Sequence, residues 1–272
     1  LNGQFAITFV DTSKSKVYLF RDRLGQKPLF YISDNNQLQF SSNLISLSRL
    51  SSNKNLDEKQ IINYLNLGVV PSPYTVFNNI YKVEPGSFVE FKFEKEKIDL
   101  TINKYWKIED KFSNKPFDQE EFYSIFLDSV TSRMESDVDL ANFLSGGIDS
   151  TSIIKMLVKN NYDVNSFSVG YGDDKYDESY WFDQVSEKYD LNHTTQTLKI
   201  GELDKDIDSA IDSFDEPYSD PSIVPSYTLS KLISKKYKVA ISGDGGDELL
   251  GGYKRTSLIL GRKKYLNNLK YL

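Results

Sequence analysis

Cysteine is absent from the 272 residues, which excludes a disulfide framework, a thiolate metal site and any thiol nucleophile within them. Long apolar runs are missing too. None approaches the roughly 20 residues that span a bilayer, and no basic segment leads into a short apolar stretch as in a signal peptide. The expectation is a cytoplasmic protein with no membrane partner. Positive charge is scattered within a formal net charge of -6, so the clustered basic face that phosphate backbones require is lacking and no nucleic-acid partner is expected. Lys235 to Lys238 and Arg262 to Lys264 read as solvated helix ends. Histidine occurs once, as His193, at the start of a strand-like stretch, and reads as a hydrogen-bonded structural residue rather than a general base.

What is present suffices for a core: 39% of the residues are hydrophobic and 14% aromatic, enough for two modest domains. The 18 tyrosines and 17 phenylalanines read as core and sheet packing rather than as a cofactor box. The chain opens at Leu1 inside a strand-like pattern, without methionine, and stops after a basic stretch, so both ends read as cut.

The first ~50 residues alternate in the manner of β-hairpins, with Phe5, Ile7 and Phe9, then Val17 and Leu19, then Leu29 to Ile32, then Leu38 and Phe40, separated by polar turns. That pattern predicts a sheet built from sequence neighbours. A helix is predicted over Asp57 to Leu67, with Ile61, Ile62 and Leu65 on one face and Gly68 as its stop. Pro71, Pro73, Pro85 and Gly86 then break up a connector that contains the strand-like Ser87 to Phe93 and ends near Tyr105-Trp106. The domain boundary falls near residue 110, giving a first domain of 1–110 and a second of 111–272.

From Asp118 the pattern turns to alternating helices and short apolar strands, the signature of a parallel sheet covered on both faces. Helices are predicted over Glu120 to Arg133, Ser150 to Lys159, Ser179 to Tyr189 and Ile223 to Lys235. Strands are predicted at Val138 to Leu144, Val164 to Val169, His193 to Leu198 and Val239 to Ser242. No internal repeat or low-complexity segment occurs.

Two loops carry the chemistry. Ser145-Gly146-Gly147-Ile148-Asp149-Ser150 follows a buried-type strand and opens a helix. Its glycines let the backbone approach a polyanion, its hydroxyls can donate to phosphate oxygens, and the new helix presents free N–H groups at a positive dipole end. The Asp149 carboxylate would repel phosphate unless a cation lay between them, which points to magnesium. Neither Gly-x-x-x-x-Gly-Lys-Ser/Thr nor Gly-x-Gly-x-x-Gly occurs in the right place, so P-loop and dinucleotide readings lose ground. The second loop, Ser242-Gly243-Asp244-Gly245-Gly246-Asp247-Glu248 with Gly251-Gly252-Tyr253, packs carboxylates among glycines but lacks the ligand alternation of an EF-hand. Loops at the carboxyl ends of parallel strands share one edge of the sheet, so the two would meet over one ligand and Asp149 and Asp247 could hold magnesium between them.

The first loop resembles the pyrophosphate-binding loop of ATP pyrophosphatases. Taken with the second loop, with Asp215-Glu216-Pro217 and Asp220-Pro221-Ser222, and with Phe167-Ser168-Val169-Gly170 and Asp177-Glu178, the order resembles the synthetase domain of the glutamine-hydrolysing asparagine synthetase family. The resemblance implies a doubly wound parallel-sheet α/β domain of the ATP pyrophosphatase type. Backbone at Phe143 or Leu144 and at Val169 would hold adenine, Ser145, Gly146, Gly147, Asp149 and Ser150 the pyrophosphate with Ser242 and Gly243 beside it, and Asp244 would accept a proton during amide formation. Towards the amino terminus, Asn2-Gly3, Phe5-Ala6, Arg21-Asp22-Arg23-Leu24-Gly25 and Pro28-Leu29 resemble that family's class II glutaminase domain, a mainly antiparallel β (α+β) fold, here partial. Asn2 and Gly3 would then form the oxyanion hole, Asn2 also touching the glutamine, and Asp22 would grip its amino group.

By that resemblance the substrates are ATP, with magnesium, glutamine and a carboxylate, aspartate by default, while relatives that amidate sugar acids or close β-lactam rings keep the acceptor open. A homodimer is left open as well. The chain departs from the family in three ways, one being that the carboxyl-terminal part of the synthetase domain, with a lysine that by resemblance contacts the phosphates, is expected beyond Leu272. The amino-terminal nucleophilic cysteine is not among these residues, and Asp244 stands where some members carry glutamate. A non-catalytic nucleotide-binding relative is the contrary reading, against which the intact loops argue.

Overall fold

The computed structural model describes residues 1–34, 37–95, 97–171, 177–198 and 200–269. By its contacts the chain forms two units, one of Leu1–Lys115 with Ile211–Pro221, the other of Pro116–Ala210 with Ser222–Leu272. No helix among the described residues is long and apolar enough to cross a membrane.

In the first unit the elements are β1 (Ala6–Asp11), β2 (Lys16–Arg21), β3 (Phe30–Ser33), β4 (Leu38–Ser41), α1 (Leu44–Leu50), α2 (Glu58–Leu67), β5 (Tyr81–Lys82), β6 (Ser87–Phe93) and β7 (Ile98–Lys104). They form two antiparallel sheets, in the orders β1-β2-β6-β7 and β4-β3-β5. This corrects the expectation of one sheet made from neighbours. The hairpin β1–β2 takes β6 as its next strand, with Leu19 opposite Val89, because both must bury the same apolar face. The run Leu29 to Ile32 explains itself by period: Leu29 and Tyr31 join the cluster of Leu19, Val83, Val89 and Phe91, while Phe30 and Ile32 join Leu44, Leu47 and Ile80. A strand buried on both faces cannot show the polar alternation of an edge.

Helix α2 begins where Asp57 accepts the N–H groups of Lys59 and Gln60 and ends at Gly68, left-handed with φ 75°. Its expected apolar face is not a core face, since Ile62, Leu65 and Leu67 are exposed and Gln60 is the buried residue. Helix α1 was not foreseen. Its start is set by Asn43, whose side chain accepts the Ser46 N–H at 2.7 Å, and by Leu44 and Leu47 one turn apart in the core.

Residues 211–221 lie within the sequence of the second domain, between two stretches of the second unit, but pack with the first unit. Asp215 takes the Asn43 amide at 2.6 Å and the Leu44 N–H at 2.7 Å, so it caps α1 from a distant stretch of chain. Glu216 accepts the Val76 N–H at 3.2 Å and pairs with Lys82 at 2.5 Å, both side chains largely buried. Burial pushes the Glu216 carboxyl up, against the lowering effect of Lys82. Removing one partner of such a pair strands the other charge. We therefore expect Glu216→Ala to cost about 3 kcal/mol of stability in the first unit. Urea unfolding of the variant checks this, and a loss under about 1 kcal/mol would put the pair with solvent-screened surface bridges.

The second unit holds α3 (Gln119–Thr131), β8 (Leu140–Phe143), α4 (Ile148–Lys159), β9 (Asn165–Tyr171), α5 (Ser179–Tyr189), β10 (Asn192–Leu198), α6 (Ile200–Asp212, whose last residues pass into the first unit), α7 (Ile223–Ile233), β11 (Val239–Ile241), α8 (Gly246–Leu250) and α9 (Lys254–Leu269). The strands are parallel in the order β10-β9-β8-β11. One face packs Val130, Leu144, Ile154, Leu157 and Phe182 from α3, α4, α5 and the end of β8; the other packs Ala141 and Phe167 against Leu229 and Ile233 of α7 and Tyr237. The sheet is doubly wound. Succession runs outward from β8 through β9 to β10 and then returns to place β11 on β8's other side, so the order reverses between β8 and β11. Ligands of open α/β sheets sit at the carboxyl ends of strands at such a reversal.

His193 lies on β10, its Nδ1 2.8 Å from Ser166 Oγ and its Nε2 3.0 Å from Thr195 Oγ1, with its ring against Phe182. This is a packed structural histidine. Burial holds its pKa below the usual 6.5, against the raising effect of Asp183. A histidine whose folded pKa is depressed favours folding above its unfolded pKa, and that contribution is lost as pH falls through the folded value. Wild-type stability should therefore decline below pH ~6.5 more steeply than that of His193→Gln. Parallel declines in urea titrations at neutral and mildly acid pH would place the sensitivity elsewhere.

Candidate active site

The turn after β8 is shaped by two glycines and two hydroxyls. Gly146 has φ +79°, and a Cβ there would lie 2.5 Å from Trp181 Cβ and 2.8 Å from the Phe182 nitrogen. Both the backbone angle and the wall formed by α5 demand glycine. Gly147 occupies the N-cap of α4 and offers no side chain, so the helix's first amides have no side-chain cap. Ser145 and Ser150 hold the turn together, their Oγ atoms 3.1 Å apart, the Gly147 N–H donating to Ser145 Oγ at 3.2 Å and Ser150 Oγ donating to the Gly147 carbonyl at 3.3 Å. What results is a concave turn of backbone amides and hydroxyls at the start of a helix, the equipment for an anion.

The turn after β11 closes on the same place. A Cβ on Gly243 would sit 3.0 Å from Asp149 Cβ and 3.1 Å from the Ser150 nitrogen; one on Gly246 would sit 2.5 Å from Asp149 Cγ and 2.7 Å from each carboxylate oxygen. Asp149 thus lies over the backbone of the second loop. Gly245, with φ +93°, precedes α8, and Gly251, with φ +70°, follows it. Ser242 donates to Asp244 Oδ2 at 2.8 Å, leaving that exposed carboxylate's other oxygen free of this bond. Burial first, then the charges of Asp247 and Glu248, push the Asp149 carboxyl up. The first loop and the second therefore bring together what the sequence assigned to one ligand, and the electrostatic cost they carry is one that a cation between the carboxylates would relieve. Among the described residues no three side chains of metal-binding type converge. Asp149 has the charges of Asp247 and Glu248 acting on it, hard oxygen donors of the kind that suit an ion taking its other ligands from phosphate and water.

At the proposed adenine strands, Leu144 uses its N–H to bond the Phe167 carbonyl at 2.9 Å, and its own carbonyl accepts the Ser168 hydroxyl. Phe143 and Val169 are half-buried at the ends of β8 and β9. Asp177, beside Gly170, takes the Tyr171 N–H at 3.2 Å and the Ser179 N–H at 3.1 Å, which ties the end of β9 to the start of α5.

The first unit's candidates are placed differently. Asp22 is 2% exposed, and its carboxylate accepts the N–H groups of Leu24 at 3.2 Å, Gln26 at 3.0 Å and Lys27 at 2.9 Å. Burial pushes this carboxyl up, but those amides outweigh it and hold it below the ordinary value. Arg21 completes the turn by donating to the carbonyls of Lys27, Gly25 and Val83. These bonds organise the turn of residues 22–27 around the Asp22 carboxylate. Asn2 and Gly3 are exposed, Asn2 Oδ1 accepting from Arg23 at 3.4 Å and Gly3 having open space around its Cα. Sequence reasoning missed the roles of Trp181 as a wall for Gly146 and of Tyr253, whose hydroxyl reaches Glu248 at 2.6 Å. Only the return turn at Gly251-Gly252 hinted at the latter.

Comparison with known proteins gives the family. The family model described as asparagine synthase matches residues 121–270, and one described as a glutamine amidotransferase domain matches residues 1–106. Among similar proteins, a Methanocaldococcus jannaschii protein provisionally named a glutamine-hydrolyzing asparagine synthetase 2 is 33% identical over 93% of this chain and 50% of its own length. The glutamine-hydrolyzing asparagine synthetases 1 and 3 of Bacillus subtilis are 31% and 27% identical, again over 93% of this chain, and over 40% and 44% of their lengths. The chain spans about half the length of the relatives it matches, or somewhat less.

Proposed function

The chain belongs to the asparagine synthase family, and from that premise we propose that its full-length protein uses ATP to adenylate a carboxylate, aspartate by default, and then forms the amide with ammonia from glutamine. The observation that carries this reading is the meeting of the two glycine-rich loops at the sheet's reversal point, with Asp149 against Gly243 and Gly246.

In this mechanism a substrate carboxylate attacks the α-phosphorus of ATP, and pyrophosphate leaves towards the turn at Ser145–Ser150. The uncapped amides of α4, the hydroxyls of Ser145 and Ser150 and the backbone at Gly147 and Gly243 stabilise the charge that develops there. Ser242 orients Asp244. The backbones of Phe143 and Val169 face the adenine, the Leu144 N–H being used inside the sheet. Asp149 and Asp247 would hold Mg2+, two hard oxygen donors that fit it, and when bound it supplies charge neutralisation on the pyrophosphate. Ammonia then attacks the acyl carbon, the Asp244 carboxylate accepts its proton, and AMP leaves. Glutamine hydrolysis belongs to the first unit, with Asn2 and Gly3 as its oxyanion contacts by family resemblance alone.

The test is pyrophosphate release by the full-length protein with ATP, glutamine and a panel of carboxylates. Aspartate should give the highest kcat/KM, with asparagine and AMP as products. A different preferred carboxylate would move the acceptor, and no release with any of them would remove adenylation.

A further inference from the structure

The second loop carries a third carboxylate, Glu248, next to Asp247. We propose that Tyr253 is a positioning residue whose hydroxyl holds Glu248 aside, leaving Asp149 and Asp247 as the carboxylates that face the cation. This rests on the adenylation reading given above.

The geometry makes the restraint specific. Helix α8 ends after one turn, Gly251 reverses the chain in the left-handed region, and the Gly252 N–H returns to the Asp247 carbonyl at 3.0 Å. Gly252 also lies against the Asp247 carboxylate so closely that a Cβ there would collide with Oδ1. That return carries the Tyr253 hydroxyl to 2.6 Å from Glu248 Oε1. The Arg255 guanidinium lies 4.5 Å over the Tyr253 ring, fixing the ring's plane. One end of the segment therefore packs on Asp247 while the other occupies Glu248, and the two neighbouring carboxylates are given different surroundings.

Such a division matters for an octahedral cation that must also carry phosphate. Magnesium is ordinarily held by one or two carboxylates and keeps its remaining positions for substrate oxygens and water. A third carboxylate free to swing in would take one of those positions and add negative charge facing the nucleotide. A hydrogen bond to an ionised group is strong enough to prevent this, and losing it should change the relevant equilibrium by about tenfold.

The experiment measures ATP affinity by calorimetry, with and without Mn2+ as probe, on the full-length protein and the variants Tyr253→Phe, Glu248→Ala and the double change. Tyr253→Phe should weaken Mn2+-dependent ATP binding about tenfold and leave metal-free binding and thermal stability nearly unchanged. In the Glu248→Ala background the same tyrosine change should have no further effect, because the group it restrains is gone. A purely structural tyrosine would lower both affinities together with the melting temperature, and would overturn the proposal. So would a Glu248→Ala variant that loses the metal effect outright, which would make Glu248 a ligand, or equal losses from Tyr253→Phe in both backgrounds. If the wild type binds no nucleotide with or without Mn2+, the adenylation reading itself fails and this inference with it.

Discussion

Asp149→Asn in the full-length protein should lower pyrophosphate release and amide formation by at least about a hundredfold, while glutamine hydrolysis continues near its ordinary rate. The substitution keeps the side chain's size and removes its charge, so the contact with Gly243 and Gly246 survives. What goes is one of two carboxylates in a site where no three metal-binding side chains converge among the described residues. With so few protein ligands, the loss of one cannot be made up by a neighbour, since Glu248 is held by Tyr253. A loss of several kcal/mol of charge stabilisation on the departing pyrophosphate corresponds to that hundredfold or more.

The separation of the two activities is the discriminating part. Asp149 lies in the second unit, and the glutaminase-like residues lie in the first. Synthetase turnover within a few-fold of wild type would show that the turn at Ser145–Ser150 is structural only. A parallel loss of glutamine hydrolysis would show instead that the substitution damaged the fold.

The two loops of the candidate site were legible in the sequence because their signals are local. A short apolar strand, two glycines and a new helix stand consecutively at residues 140–150, and the second loop repeats the arrangement after β11. Their meeting follows from topology, since parallel strands deliver their loops to one edge. Other features depend on partners far away in the chain. The β2–β6 pairing joins residues about seventy apart, and no period within β2 announces it. Asp215 and Glu216 were grouped by resemblance with the synthetase domain, yet they serve α1 and Lys82, whose sequences bear no mark of it. The work of Asp22 within its own turn was hidden for a subtler reason. An Arg-Asp pair next to a glycine turn does not announce that its carboxylate will accept its own loop's amides, as it does from Leu24, Gln26 and Lys27.

Gly146→Ala should abolish measurable ATP binding and also destabilise the second unit by about 2–4 kcal/mol. Two penalties coincide there. The left-handed φ of +79° costs any residue with a Cβ about 1–2 kcal/mol. The new methyl would also lie 2.5 Å from Trp181 Cβ and 2.8 Å from the Phe182 nitrogen, and these are parts of a helix, not the end of a flexible side chain. Relief requires α5 to move back or the turn to rotate, and rotation carries the amides and the hydroxyls of Ser145 and Ser150 out of their arrangement. Gly245→Ala provides the contrast, for its φ of +93° imposes backbone strain with nothing within 4 Å of the added atom. That variant should lose stability without the collision, and by about 1–2 kcal/mol. Calorimetric ATP titration and urea unfolding of both variants separate the terms. If Gly146→Ala binds ATP as the wild type does, the close approach of the turn to α5 has no part in shaping the phosphate site.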